Sequence, residues 1–384
     1  MRRPNHLIEQ IADLDNLYHA FVTARRGKQT KPEVLHFCKH FDQNIQQLRT
    51  SILIGDVSVG KYNMFEVYDP KKRTICAAAF DERVLHHAII NICNPFFERH
   101  LISDTYATRK GKGQYSAIAK SREAFRKYKY VLKLDFRKYF DSIPHDVLQD
   151  KLARLFKDRA LLKIFSKIIG SYSVEQGRGL PIGNLTSQYF ANYYLSDLDH
   201  YIKQTLRIKY YVRYMDDMLI FGDSFSHLRE IFADLTRYIT DLRLEFKPPI
   251  FTTSVRGVDF LGYKLFRHKI LLDARSKHRF AKKLALYDQN YEENIWTEKE
   301  YQKHLIPLFA FARQAYSKQF RAATIQRFED RRAPTTSCAA VVAVLPPPIA
   351  VSRVATTTTG TTTTTTHRGI SVSVLSSAHS LLKI

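Results

Sequence analysis

Two adjacent acids, Asp216 and Asp217, stand inside the stretch YYVRYMDDMLIFGD (210–223). Tyr210-Tyr211-Val212 and Met218-Leu219-Ile220-Phe221 flank them, and both flanks are apolar and β-forming. The spacing predicts two short buried strands with the acids at the turn between them. Apolar strands usually turn on Asn-Gly or Asp-Gly. Neighbouring carboxylates repel and are seldom buried alone, so a cationic group is expected beside them. The pattern fits either a polar hairpin tip or a carboxylate pair that holds metal. A third acid, Asp135, ends the apolar strand of YVLKLDFRKYFDSIPHDVL (130–148). An acid leaving a buried strand is costly unless it is paired or metal-bound. Two-metal phosphoryl transfer needs carboxylates from different strands converging on one point. Two Mg²⁺ ions about 3.5–4 Å apart then activate the attacking oxygen and stabilise the leaving one. Hard Mg²⁺ favours carboxylate, phosphate and water oxygens.

Composition supplies the reason to handle phosphate. The 384 residues contain 60 Lys and Arg against 37 Asp and Glu, a formal charge of +23. A balance that basic favours polyanions through counterion release, with nucleic acid first and anionic membrane as the alternative. A hydrophobic fraction of 45% is ample for a folded core. No run of about twenty apolar residues is present, and MRRPNHLIEQ lacks an apolar signal core. The expectation is a cytoplasmic protein with no membrane partner. Cys38, Cys76, Cys93 and Cys338 have no CxxC spacing and read as reduced thiols.

The elements that must position the acids follow in order. Residues 5–50 carry the periodicity of two amphipathic helices joined at Arg25-Arg26-Gly27-Lys28. His36 and His40 have metal-ligand spacing but no third ligand nearby, and a solvated helix face explains them as well. Residues 62–80 alternate as a hairpin turning at Asp69-Pro70-Lys71-Lys72, with Arg73 just beyond. Its cationic tip is either a phosphate clamp or a solvated basic turn. Helices are predicted over 81–100, 114–127 and 159–171, and from about Pro144. The loop RKGKG (109–113) is basic but lacks Walker spacing. GRGLPIGNLTSQYF (177–190) is a Gly/Pro-rich loop feeding a helix, with Thr186 or Ser187 as N-cap. Residues 227–242 read as a helix, 243–272 as strands, and Arg275 to about Phe328 as basic, aromatic helices. Residues 331–384 have no Asp, Glu, Phe, Tyr or Trp and contain TTTTGTTTTTT, so a disordered tail is expected.

In order, LDFRKYFDSI, GLPIGNLTSQ and Tyr214-Met215-Asp216-Asp217 resemble the palm signature of reverse transcriptases. The resemblance covers residues 50–330. It implies an α+β right hand of fingers, palm and thumb, with an antiparallel palm sheet and a helical thumb. The domains would be an N-terminal helical extension over 1–50, fingers and palm over 51–272, a thumb over 273–330 and the tail over 331–384. It implies Asp135, Asp216 and Asp217 as catalytic metal ligands. Lys72 and Arg73 would grip the triphosphate, and Phe140 would block a ribose 2′-OH. Ile182 and Gly183 would line the dNTP site. Ser187, Gln188, Gly262 and Tyr263 would meet template and primer, the last two in the primer-grip-like VDFLGY (258–263). Lys247 falls near the basic position that some relatives place beside the palm.

One departure points to a subtype. Most reverse transcriptases carry Gln-Gly in the loop before the palm helix, where this chain reads Ile182-Gly183-Asn184-Leu185-Thr186-Ser187-Gln188. That pattern resembles the enzymes of diversity-generating retroelements, which copy a template-repeat RNA into cDNA and misincorporate opposite adenine. Gln can hydrogen-bond an incoming nucleotide and Ile cannot, so a polar check beside the nascent pair is lost. Packing under the loop is the other role open to Ile182. The resemblance also implies template RNA, RNA/DNA hybrid, dNTPs and a small basic pentameric accessory protein as partners. An intron-type or retron-type enzyme without targeted mutagenesis, and a non-catalytic RNA-binding protein on this scaffold, are the competing readings. The threonine run is either an ordinary linker or an out-of-frame read through a template repeat.

Overall fold

The structure, a computed structural model, describes residues 4–68 and 72–329. The expectations for the turn residues 69–71 and for the stretch 331–384 therefore lie outside the described residues. The chain forms two compact units. Among the described residues the first runs to Leu261 and takes in Leu265–Arg267; the second takes Gly262–Lys264 and the residues from His268 onward. The class is α+β with antiparallel sheets, as the resemblance implies.

Four helices open the first unit where the periodicity suggested two: α1 (Ile8–Ile11), α2 (Leu14–Ala24), α3 (Pro32–Lys39) and α4 (Phe41–Ile54). Asp13 breaks the first pair, because its carboxylate caps α2 through the N–H groups of Asp15 and Asn16. His40, at φ −123° and ψ 42°, breaks the second. Strands β1 (Tyr62–Val67) and β2 (Arg73–Ala78) then form an antiparallel hairpin, followed by α5 (Phe80–His100). Helix α5 buries Val84, Leu85, Ala88, Ile89 and Cys93, and the opening helices share one apolar core with it.

Helix α6 (Gln114–Lys127) precedes β3 (Tyr130–Leu134), and three helices follow: α7 (Tyr139–Ser142), α8 (His145–Leu155) and α9 (Arg159–Gly170). The buried face of α9 is Leu161, Ile164, Phe165, Ile168 and Ile169, one helical stripe. Its N-cap, Asp158, is buried and accepts from Leu161 N at 3.1 Å. The same carboxylate accepts from Leu7 N at 2.7 Å and Ile8 N at 3.1 Å. One satisfied buried acid thus ties the start of the chain to α9, and emptying it would cost about 1–3 kcal/mol.

The loop 177–184 leads into α10 (Leu185–Tyr194) and α11 (Ser196–His200), and a π-helical turn (Tyr201–Thr205) ends that arm. Asn184, not Thr186 or Ser187, takes the N-cap position; both hydroxyl residues are buried in the first turn of α10. Strands β4 (Tyr211–Tyr214) and β5 (Asp217–Gly222), helix α12 (Phe225–Asp241) and β6 (Ile250–Thr253) complete the central sheet, ordered β4-β5-β3-β6. Leu132, Leu134, Met218 and Ile220 point into the main core, while Phe221 meets Phe125 of α6 at 5.1 Å. With both faces covered, a one-residue slip would misplace every side chain, so the register is firmly set.

Short strands β7 (Val258–Phe260), β8 (Tyr263–Leu265) and β9 (Ile270–Leu272) carry the chain on to α13 (Ala274–Glu292), α14 (Glu298–Arg313) and α15 (Lys318–Glu329). Asp273 caps α13, and Thr297 with Glu300 forms a capping box on α14. Phe280 packs on Phe309 at 5.2 Å and on Phe320 at 5.6 Å, which closes the core of the second unit.

Candidate active site

Sheet register brings the acids together. Leu134 pairs with Met218 and Tyr214 with Asp217, so Asp135, one residue past β3, emerges beside the β4–β5 turn. That turn is Met215-Asp216. Met215 has φ 56° and Asp216 does not share the positive sign, the pattern of a type II′ turn that ordinarily takes Gly first.

The expected cations are present. Lys247 Nζ donates to Asp135 Oδ2 at 2.5 Å, and its backbone N–H donates to Asp135 O at 2.8 Å. Lys133 Nζ stands 3.2 Å from Asp217 Oδ1 and donates to Asp259 O at 2.7 Å. Burial, and then the Asp135 carboxylate, hold Asp216 well above the usual carboxylate range. Burial pushes Asp217 up to about 7 against the pull of Lys133. Among the described residues no group of three His, Cys, Asp or Glu is drawn up around a common point for a metal. The donors nevertheless suit a hard cation. All are carboxylate oxygens, and Asp135 Oδ1 is buried with no hydrogen-bond partner among the described residues.

The residues expected on the dNTP side lie in the same unit as the acids. Arg73 and Lys72 are exposed on the β1–β2 hairpin. Lys72 pairs with Glu66 at 2.7 Å and lies over the Tyr68 ring. Phe140 is half-buried on α7, and its carbonyl accepts from Leu180 N at 2.8 Å. Ile182 is half-buried, and its carbonyl accepts from Cys76 N at 2.7 Å. Gly183 has φ 121°, and a Cβ there would meet Cys76 O and Ile75 Cγ2 at 3.0 Å each. The Gly-rich loop therefore seats directly on β2.

The remaining candidates divide. Gln188 is half-buried on α10, but Ser187 is only 1% exposed. Tyr263 is fully buried, donates from its hydroxyl to Phe311 O at 2.8 Å and packs on the Phe311 ring at 4.7 Å. A Cβ on Gly262 would strike Phe311 and Ser276 at 2.9 Å. Tyr263 is thus corrected from a template or primer contact to a packing position inside the second unit, because its phenol is consumed there. Sequence reading missed Lys133, which stands beside Asp217. Its one signal was the demand for cations beside the acids, without an address. Among the described residues no helix is long and apolar enough to cross a membrane.

An antiparallel sheet that sets Asp135 beside the Asp216-Asp217 turn is the fold of a template-directed polymerase palm. The chain belongs to the reverse transcriptase (RNA-dependent DNA polymerase) family, whose model matches residues 67–265. Domains of this family work with divalent metal ions. A COX1/OXI3 intron 1 protein of Saccharomyces cerevisiae is 20% identical over 220 residues, covering 53% of this chain and 26% of its own length. The Nuclear intron maturase 1, mitochondrial, of Arabidopsis thaliana is 31% identical over 83 residues, 22% of this chain and 12% of that protein. The chain thus spans 26% of the length of the first relative and 12% of the second in the matched regions. A solved telomerase from Candida tropicalis, in complex with a TWJ fragment of telomeric RNA, overlays with a TM-score of 0.43 at 10% identity, covering 71% of this chain and 55% of that one.

Proposed function

We propose that this protein is an RNA-directed DNA polymerase. The observation that carries the reading is the register of β3 on β5, which sets Asp135 against the Asp216-Asp217 turn. Two Mg²⁺ ions held by Asp135, Asp216 and Asp217 would supply the activated attacking oxygen and neutralise the leaving one. In this reading Arg73 and Lys72 would grip the triphosphate, and Phe140 would block a ribose 2′-OH. Lys247 and Lys133 balance the acids between turnovers. Template RNA, RNA/DNA hybrid and dNTPs are the partners that this arrangement calls for. Primer extension on an RNA template with Mg²⁺ tests it. Incorporation by the native chain and none by Asp216→Asn is expected; no incorporation with any divalent ion would overturn the reading.

We further propose the diversity-generating subtype, with adenine-directed misincorporation on a template-repeat RNA. Its support is Ile182 in the loop seated on β2, where a hydrogen-bonding Gln is replaced by a side chain that cannot bond a base. The small basic pentameric accessory protein and a cytoplasmic setting belong to this proposal. The intron-protein relatives favour the competing reading, an intron-type reverse transcriptase without targeted mutagenesis. Sequencing cDNA made on one defined RNA separates the two. Errors concentrated opposite adenine support the first, and equal error opposite all four bases supports the second.

A further inference from the structure

The turn that carries Asp216 is held from inside the protein. Met215 adopts φ 56° without being glycine, a conformation that persists only where the surroundings impose it. We infer that Arg213 is a positioning residue for the polymerase reaction, holding the Met215 carbonyl and thereby fixing where the Asp216 carboxylate stands. The inference rests on the polymerase reading above.

Arg213 and Asp199 are both fully buried. Arg213 Nε donates to Asp199 Oδ1 at 2.7 Å, and Nη2 bonds Asp199 Oδ2, a fork-to-fork pair. Nη1 donates to Asn192 Oδ1 at 2.9 Å and to Met215 O at 3.0 Å, and Nη2 donates to Asn192 O at 3.1 Å. All five N–H donors of the guanidinium are thereby used. Four reach α10 and α11, and the fifth reaches the backbone of the strained residue just before Asp216.

The anchor itself cannot drift. Arg213 N donates to Asp104 O at 2.9 Å, and Arg213 O accepts from Tyr106 N at 2.9 Å. Asp199 is steadied in turn by the Tyr211 hydroxyl at 2.8 Å. A buried ion pair contributes little net stability by itself, so its value here is geometric. Lysine would not replace it, because one ammonium cannot span Asp199, Asn192 and Met215 in a plane.

The test compares Arg213→Lys and Asn192→Ala with the native chain. Asn192→Ala leaves the Asp199 pair in place and removes one acceptor from the guanidinium. Two measurements are made: pre-steady-state primer extension, and amide hydrogen exchange of the 214–217 turn without metal or substrate. The expected result is a burst rate lowered about 100-fold in Arg213→Lys and about tenfold in Asn192→Ala. Burst amplitude and dNTP KM stay within about twofold. Exchange at the turn accelerates in both variants while β3 amides are unchanged. A fallen amplitude with an unchanged rate constant would overturn the inference, since Arg213 would then serve folding alone. Native rates in both folded variants would overturn it too. If Arg213→Lys does not fold, Asn192→Ala decides by the same readouts. If the native chain extends no primer, the polymerase reading fails separately. Turn exchange then decides alone, and unchanged exchange in Asn192→Ala counts against the inference.

Discussion

The backbone N–H of Cys76 donates to the carbonyl of Ile182 at 2.7 Å. This one bond joins strand β2, which begins at Arg73, to the loop that leads into helix α10. A cationic hairpin and a Gly-rich loop are thus one mechanical piece.

Gly183→Ala tests that join. The residue has φ 121°, and its missing Cβ would lie 3.0 Å from Cys76 O. A backbone atom of a strand cannot yield as a side-chain tip does, so the loop must lift off β2. The strain is about 1–3 kcal/mol, which as lost nucleotide binding corresponds to a rise in dNTP KM of about fivefold to 150-fold. Steady-state extension at varied dNTP checks it. An unchanged KM with an unchanged rate would show that the loop acts independently of the hairpin.

Ile182→Gln, in the same loop, restores a hydrogen-bonding side chain. Misincorporation opposite adenine is expected to fall about tenfold or more, since polar contacts discriminate more strongly than apolar ones. Sequencing of cDNA from one RNA template measures it. An error rate equal to that of the native chain would leave Ile182 with packing alone.

Asp216→Asn removes a charge from the palm turn and keeps its shape. Loss of metal-assisted charge stabilisation lowers the rate by on the order of 10³-fold or more. RNA binding, carried by the wider basic surface, should change little. Filter binding and primer extension on the same preparation separate the two. Retained synthesis would mean that the acids are wrongly assigned.

The acids were legible because two rules coincide on them. Period-2 apolar flanks mark the strands, and a carboxylate ending such a strand demands a partner. The cations were legible only as a requirement. Lys133 and Arg213 sit in strands covered on both faces, where alternation no longer tells which side faces the site. Tyr263 misled for a different reason. Its fate depends on Phe311, a residue remote in sequence that no local pattern connects to it. The break between α3 and α4 was likewise invisible, since it lies in the backbone of His40 and not in its polarity.

A buried pair on α5 sets the last expectation. Glu82 and His86, each 1% exposed by side chain, lie one turn apart on α5 with Oε1 and Nε2 3.5 Å apart. Burial pushes Glu82 up to about 7, although Gly60 N donates to it at 2.9 Å, and burial brings His86 down to about 3. The unfolded values are about 4.3 and 6.5. For Glu82 the folded state holds its proton more tightly, so its contribution is present below about pH 4.3 and is lost as pH rises to about 7. For His86 the folded state holds its proton less tightly, so its contribution is present above about pH 6.5 and is lost as pH falls to about 3. The two slopes oppose each other over the shared window, and removing one exposes the other. Glu82→Gln keeps an acceptor for Gly60 N and abolishes the Glu82 slope. Urea unfolding at several pH values should show this variant gaining stability relative to the native chain as pH rises from about 4.3 to 7. No relative gain over that window would mean that the folded protein does not hold the Glu82 proton more tightly than the unfolded chain does.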